Sequence, residues 1–160
     1  DMSKIEAGML NYQIAGTDLN LLCKEVVNDL STTTQNDVKL LFKPEKDSFI
    51  INTDKQRLRQ VIVNLVSNAC KFTTEGEITI SYKQLSTDCL EIRVTDTGIG
   101  IATENIPKLF NRFTKLNSNA KGTGLGLVIC KSIIEHLGGE IGIESELGKG
   151  SSFWFTHPIS

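Results

Sequence analysis

The sequence predicts an α+β fold: a two-layer α/β sandwich whose mixed, mostly antiparallel sheet of about five strands packs on three helices. Three observations predict it. Apolar residues recur at helical spacing in three separate stretches, around residues 19–30, 58–72 and 125–137. Ile78, Ile80 and Tyr82 alternate with polar residues, and Leu90, Ile92 and Val94 do so shortly afterwards, as in a hairpin with one buried face. Strands and helices do not alternate strictly enough for a doubly wound parallel sheet, so one sheet face meets the helices and the other is half-exposed.

The opening SKIEAGML is helical in character and stops near Gly8 and Asn11. It reads as the end of a longer helix and, with no initiator methionine, the chain reads as an excised fragment. The extended stretch NYQIAG leads to Thr17, an expected N-cap with Asn20 three residues later. Leu19, Leu22, Cys23, Val26, Val27 and Leu30 then lie at helical spacing until the polar run STTTQND breaks the pattern. VKLLFKP and FIINTD read as short strands, the first ended by Pro44. Asp54 caps the second helix, which runs to about Thr73. After the hairpin and TGIGI come a short helix, ENIPKLFNRF, and a polar linker, KLNSNAKGTG. The third long helix, LGLVICKSIIEHLGG, closes at Gly138 and Gly139. EIGIES and SSFWFTH end the chain as strands around the turn LGKG.

A chain of 160 residues fits one domain with a real core. The net charge of −2, without a basic cluster interleaved with aromatics, argues against nucleic acid as a partner. No apolar run reaches the length of a membrane span, and no signal peptide is visible. Cys23, Cys70, Cys89 and Cys130 form no CxxC pair and sit among apolar residues. They read as reduced, small hydrophobes, and a reducing, cytoplasmic setting follows as the expectation. Neither histidine stands near an acidic or cysteine cluster of ligand spacing, which argues against a zinc site.

The chemistry sits in three stretches. Residues 64–73 read NLVSNACKFT, with two asparagines inside an otherwise apolar helix. Asparagine is a poor helix former, because its amide competes for backbone hydrogen bonds. At about 100° per residue, Leu58, Val61, Ile62, Leu65, Ala69 and Phe72 share a wide face, and Arg57, Asn64, Asn68 and Lys71 form a narrow stripe beside it. Two amides and a cation at the edge of a buried face suit a phosphate and a metal. DTGIGI at residues 96–101 follows a strand, so Asp96 offers a carboxylate to an exocyclic amine while Gly98 and Gly100 let a ligand approach the backbone. In KGTGLGL, Gly122, Gly124 and Gly126 precede a long helix whose free N–H groups and dipole suit an anion. The spacing fits neither a Walker A loop nor a dinucleotide fingerprint. Each stretch alone has a plainer reading as a turn or a solvated helix face; the three in this order do not.

In that order the motifs resemble the ATP-binding catalytic domain of sensor histidine kinases, within the GHKL ATPase superfamily and its Bergerat-type fold. NLVSNACKFT looks like the N box, DTGIG the first glycine box, LFNRF the F box, GTGLGL the second glycine box and GKGSSFWF the closing turn and strand. DMSKIEAGML resembles the tail of the second dimerisation helix, so residues 1–10 would end a dimerisation or phosphoacceptor helix and residues 11–160 would form the catalytic domain. The F-box wording is most similar to hybrid two-component sensors.

The resemblance implies ATP and Mg²⁺ as cofactors. Asp96 would accept the adenine amine, with Gly98 and Gly100 nearby; Asn68 would coordinate Mg²⁺, and Asn64 would support the metal or its waters. Which asparagine ligates directly is left open. Lys71 would neutralise phosphate charge, and Phe72 occupies the place of the family's aromatic beside the nucleotide. Gly122, Thr123, Gly124, Leu125 and Gly126 would cradle phosphates under a mobile lid, roughly KLNSNAKGTG, and Lys115 would reach a phosphate. The implied partners are the dimerisation and histidine-phosphotransfer domain of the same protein and a response regulator receiver domain. The implied parent is a homodimer, cytoplasmic in this domain, with the bacterial inner membrane as a location for the whole.

Two other functions compete: an ATP-binding module without chemistry, and a GHKL-type hydrolase. In the superfamily's hydrolases the position of Asn64 is typically a glutamate, and a neutral amide is no general base near neutral pH. A related serine kinase lacks a preceding dimerisation helix. Neither His136 nor His157 carries the acidic neighbour of the family's phosphoacceptor. His136 near a helix C-terminus suits the dipole, and His157 at a strand end is expected to be exposed.

Overall fold

The computed structural model describes residues 12–31, 38–73, 75–101, 104 and 126–159. Within them the chain forms β1 (Ala15–Asp18), α1 (Leu19–Leu30), β2 (Val38–Lys43), β3 (Ile50–Thr53), α2 (Lys55–Phe72), β4 (Gly76–Gln84), β5 (Cys89–Asp96), α3 (Gly126–His136), β6 (Ile141–Glu146) and β7 (Gly150–Pro158). Five of the strands make one sheet in the order β2-β4-β5-β7-β6. Only the β2–β4 pair is parallel; β4–β5, β5–β7 and β6–β7 are antiparallel. The three described helices pack on one sheet face, so the expected α+β sandwich and its mixed, mostly antiparallel sheet are what the chain adopts.

The period-2 pattern builds the sheet's inner face. Ile80 stands opposite Val94, and Val94 opposite Phe153, so buried side chains run in rows across strands. The 3.6-residue pattern builds the other layer: Leu58, Ile62, Leu65 and Ala69 of α2 are fully buried, as are Leu19 and Leu22 of α1 and Cys130, Ile133 and Ile134 of α3. All four cysteines are free thiols, two of them fully buried, and burial pushes Cys23 and Cys130 up to about 12. Among the described residues no helix is long and apolar enough to cross a membrane.

Three local expectations change. Asp18, not Thr17, caps α1: its carboxylate accepts the Asn20 N–H at 2.9 Å, while the Thr17 hydroxyl donates back to the Ala15 carbonyl at 3.1 Å. A carboxylate with extended backbone at that position satisfies a free helix N–H directly. FIINTD does form a strand, β3, but it pairs with β1 in a separate two-stranded sheet. His157 is not exposed. It is 2% accessible, its Nε2 lies 2.9 Å from Thr53 Oγ1, and its Nδ1 lies 2.6 Å from the Pro158 carbonyl. A carbonyl only accepts, so Nδ1 carries the proton and Nε2 accepts from the Thr53 hydroxyl. Burial therefore holds this imidazole below its ordinary pKa and neutral.

Asp54 caps α2 as the sequence implies, accepting from the Arg57 N–H at 3.0 Å. Its second oxygen accepts from Gln13 N at 2.8 Å, which ties the chain ahead of β1 to the start of α2. Tyr12 completes that tie, stacked on His136 at 3.9 Å between ring centroids, with the Arg57 guanidinium 5.9 Å from its ring centroid. The start of α2 and the end of α3 thus meet at one end of the molecule, and the two helices run antiparallel.

Candidate functional site

The opposite end of the same helices carries the candidate site. Cys130 of α3 lies against Val61 of α2, its thiol 3.8 Å from the Val61 carbonyl, so the first residues of α3 sit beside the later turns of α2. There Asn64 and Asn68 are half-buried and Lys71 is exposed, the edge position expected for the polar stripe. Asn68 Nδ2 donates to the Asn64 carbonyl at 3.1 Å. That bond uses the amide nitrogen and leaves Oδ1 to act as a hard-oxygen acceptor, the donor type that Mg²⁺ takes. The Asn64 side chain lies beside the Cys130 thiol and favours its thiolate, against the larger effect of burial. Among the described residues no group of three or more His, Cys, Asp or Glu could hold a metal.

Asp96 ends β5 and is 2% accessible. Its Oδ1 accepts two backbone N–H groups, from Gly98 at 2.9 Å and Ser151 at 3.3 Å. The first closes an Asx turn that starts the DTGIG loop. Its Oδ2 has no partner, and neither has the buried Thr73 Oγ1 at the end of α2. The Thr73 hydroxyl helps to favour the carboxylate, but the two atoms complete no hydrogen bond with one another. Burial dominates and raises the Asp96 carboxyl above its ordinary pKa, with the two N–H groups pulling the other way. A buried acceptor without a partner costs about 1–3 kcal/mol, a cost that a donating ligand would relieve.

Two glycines make the loop possible. Gly100 has φ +74°, and a Cβ there would run into the Glu146 carbonyl. Gly150 has φ +101°, and a Cβ there would run into the Asp96 carbonyl. Both conformations favour glycine, and both contacts press the 97–101 loop onto the turn between β6 and β7. Gly148 N donates to the Ile99 carbonyl at 2.6 Å across the same junction. Gly98 contributes its N–H to Asp96, and Gly126 opens α3 with nothing near the place of a Cβ.

The structure therefore brings Asn64, Asn68, Lys71, Asp96, Gly98, Gly100 and Gly126 to one end of the sandwich. Lys115, Gly122, Thr123, Gly124 and Leu125 lie outside the described residues, as do the side chain of Phe72, all of the expected ENIPKLFNRF helix but Glu104, the expected lid and the helix tail at 1–10. Sequence reasoning missed Thr73, Ser145 and Ser151. The pair of serines after GKG and the threonine closing NLVSNACKFT were the only available signals, and short hydroxyl residues at strand starts and helix ends are usually structural.

The model of the histidine kinase-, DNA gyrase B-, and HSP90-like ATPase family matches residues 53–160. Sensor protein GacS of Pseudomonas syringae pv. syringae is 38% identical over 167 residues, covering 98% of this chain and 18% of that protein. Autoinducer 2 sensor kinase/phosphatase LuxQ of Vibrio vulnificus is 36% identical over 178 residues, covering 99% of this chain and 20% of that protein. The chain spans about a fifth of the length of these two relatives. The nucleotide-free catalytic domain of histidine kinase ThkA superposes with TM-score 0.82 at 31% identity, over 92% of this chain and 96% of that one. Full-length ShkA, in complex with AMPPNP, superposes with TM-score 0.91 at 28% identity, over 99% of this chain and 34% of that one. The chain belongs to the histidine kinase-, DNA gyrase B-, and HSP90-like ATPase family, as a catalytic ATPase domain of the histidine kinase type.

Proposed function

We propose that this domain binds ATP with Mg²⁺ and donates the γ-phosphoryl group to a histidine on a dimerisation domain of the same protein, for onward transfer to a response regulator. One observation carries the reading. Asp96 is a buried carboxylate with one oxygen held by two backbone N–H groups and the other left for a donor. The adenine exocyclic amine supplies that donor. Guanine presents a carbonyl oxygen there, which would meet Oδ2 acceptor to acceptor.

The other roles follow from position. Asn68 Oδ1, its amide fixed by the Asn64 carbonyl, is the metal contact, and Asn64 supports the metal's waters from one turn earlier. Lys71, exposed at the end of α2, faces the phosphates as a mobile cation. The α3 N-terminus and the glycine run before it receive phosphate oxygens. An Mg²⁺ ion held there by Asn68, with its waters supported by Asn64, would supply neutralisation of phosphate charge. In the transfer, a nitrogen of the acceptor imidazole bonds to the γ-phosphorus while the bond to the bridging oxygen breaks and ADP leaves. The domain's contribution is to hold the γ-phosphorus in line with that nitrogen. Asn64 favours transfer over hydrolysis, because a neutral amide cannot take a proton from water.

Isothermal titration of ATP and GTP against the wild-type chain and Asp96→Ala tests the reading. The expected result is ATP preference in the wild type and its loss in the variant. Equal ATP affinity in both would remove Asp96 from the site. Incubation with radiolabelled ATP separates the chemistries: the domain alone should bind without acquiring label, and an added dimerisation segment should become labelled on its histidine. Fast phosphate release by the domain alone would favour a hydrolase.

A further inference from the structure

We propose that Ser145 is a positioning residue for adenine recognition, a hydroxyl that locks the 97–101 loop onto the β6–β7 turn and so fixes Asp96. The proposal rests on the reading of Asp96 as the adenine contact. Ser145 lies on β6, opposite Ser151 of β7, and makes three polar contacts through one atom. Ile101 N donates to Ser145 Oγ at 2.7 Å, across 44 residues of sequence. Ser145 Oγ also lies 3.0 Å from the Gly150 carbonyl and 2.8 Å from Ser151 Oγ.

Counting protons orders these contacts. Ser145 has one hydroxyl hydrogen, and the Gly150 carbonyl can only accept, so that hydrogen goes to Gly150. Ser145 Oγ then accepts twice, from the Ile101 N–H and from the Ser151 hydroxyl. Ser151 in turn donates its backbone N–H to Asp96 Oδ1. A single hydroxyl therefore ties the far end of the glycine loop, the turn that Gly150 closes, and the residue that holds Asp96. The loop between Asp96 and Ile101 is anchored at both ends: Gly98 N on Asp96 and Ile101 N on Ser145. Without Ser145 the Ile101 N–H is orphaned in a buried setting, because Ile101 is 3% accessible, and the Ser151 hydroxyl loses its acceptor. The loop and the carboxylate would then no longer be held in the arrangement that leaves Oδ2 free for the amine.

The test uses the 160-residue chain with Ser145→Ala, the hydroxyl-retaining Ser145→Thr, and Ser152→Ala as a control on the outer sheet face, where Ser152 meets Arg93 and Thr95. ATP and GTP affinities are measured by titration at a temperature well below unfolding, and amide exchange of Ile101 is followed by NMR. Ser145→Ala is expected to bind ATP about tenfold more weakly, with a narrower ATP-to-GTP ratio and faster Ile101 exchange. Ser145→Thr and Ser152→Ala are expected to match the wild type. A Ser145→Ala chain that melts lower but keeps its ATP affinity and its ATP-to-GTP ratio overturns the proposal, since a merely structural hydroxyl would behave so. A wild-type chain that binds neither nucleotide is a different failure: it removes the reading of Asp96 and this proposal with it.

Discussion

The two ends of α2 bury polar groups in opposite ways. At its start, every buried polar side chain discussed above is satisfied within the protein. Asp54 holds Arg57 N and Gln13 N, and His157 bonds Thr53 and the Pro158 carbonyl. Nearby, Asn20 donates to the Lys46 carbonyl at 2.6 Å and accepts from the Tyr82 hydroxyl at 2.7 Å. At the other end the chain leaves Thr73 Oγ1 and Asp96 Oδ2 without partners, and these are the only such buried side-chain atoms among the described residues. Both ends carry comparable polar chemistry. What separates them is completeness: a closed network stabilises the fold, and an open one at a loop of glycines is a place for a ligand to finish.

Breaking the open end should give the largest effect on binding. Asp96→Ala removes the acceptor for the amine and is expected to weaken ATP binding by about 10–100-fold, the range for a hydrogen bond to a charged group, as read by titration calorimetry. Asp96→Asn sharpens the comparison. Its amide oxygen can still accept from Gly98 and Ser151, its NH₂ can donate to the orphaned Thr73 hydroxyl, and no charge is buried. That variant should lose ATP affinity while its melting temperature rises by roughly 2–4 °C, the shift that ~1 kcal/mol produces in a domain of this size. A fall in melting temperature would mean that the open end is not held at a cost to the fold.

Breaking the closed end should do the reverse. His157→Phe leaves the Thr53 hydroxyl buried without an acceptor and is expected to lower stability by about 1–3 kcal/mol in urea titration, with ATP affinity unchanged at 25 °C. The same histidine sets a pH dependence. Its folded pKa is depressed by burial, so the unfolded chain binds the proton more readily. The stability it contributes is complete above the unfolded value of about 6.5 and is lost as pH falls below it. Melting curves of the wild type at pH 7.5 and about pH 5 should therefore differ more than those of His157→Phe. Asp96 has the opposite sign: its raised pKa favours the folded state in its protonated form, a benefit that disappears as pH rises through the folded value.

The smallest expected effect is at Tyr12. Tyr12→Ala removes the stack on His136 and the contact with Arg57, at a cost of about 0.5–1.5 kcal/mol, whereas Tyr12→Phe keeps the ring and should be near neutral. Equal melting temperatures for the Ala and Phe variants would show that the stack holds nothing.

Much of this was legible before any coordinates. The stripe of Asn64, Asn68 and Lys71 sits where helical spacing puts it, and Asp96 ends a strand just ahead of paired glycines. Helix and strand periods, caps such as Asp54, and glycine spacings are relations between neighbours in the chain, which sequence states directly. One local reading still failed, because Thr17 and Asp18 are both good caps and only Asp18 turns its side chain onto the helix, the Thr17 hydroxyl bonding Ala15 instead.

What only the tertiary structure decided were relations between distant residues. His157 looked exposed at its strand end; it shares the buried face of Phe153 and Phe155, and the partner that satisfies it there, Thr53, is 104 positions away. FIINTD was legible as a strand, but its pairing with β1 outside the main sheet was not. Ser145 gave no signal at all, and gains its place from Ile101, Gly150 and Ser151 converging on one oxygen. The sequence by itself determined which groups can bond and which face each occupies within its own element. Whether a buried group finds its bond inside the protein or is left for a ligand depends on which elements the fold places against it, because a hydrogen bond needs its partner within about 3 Å and the chain can bring that partner from anywhere.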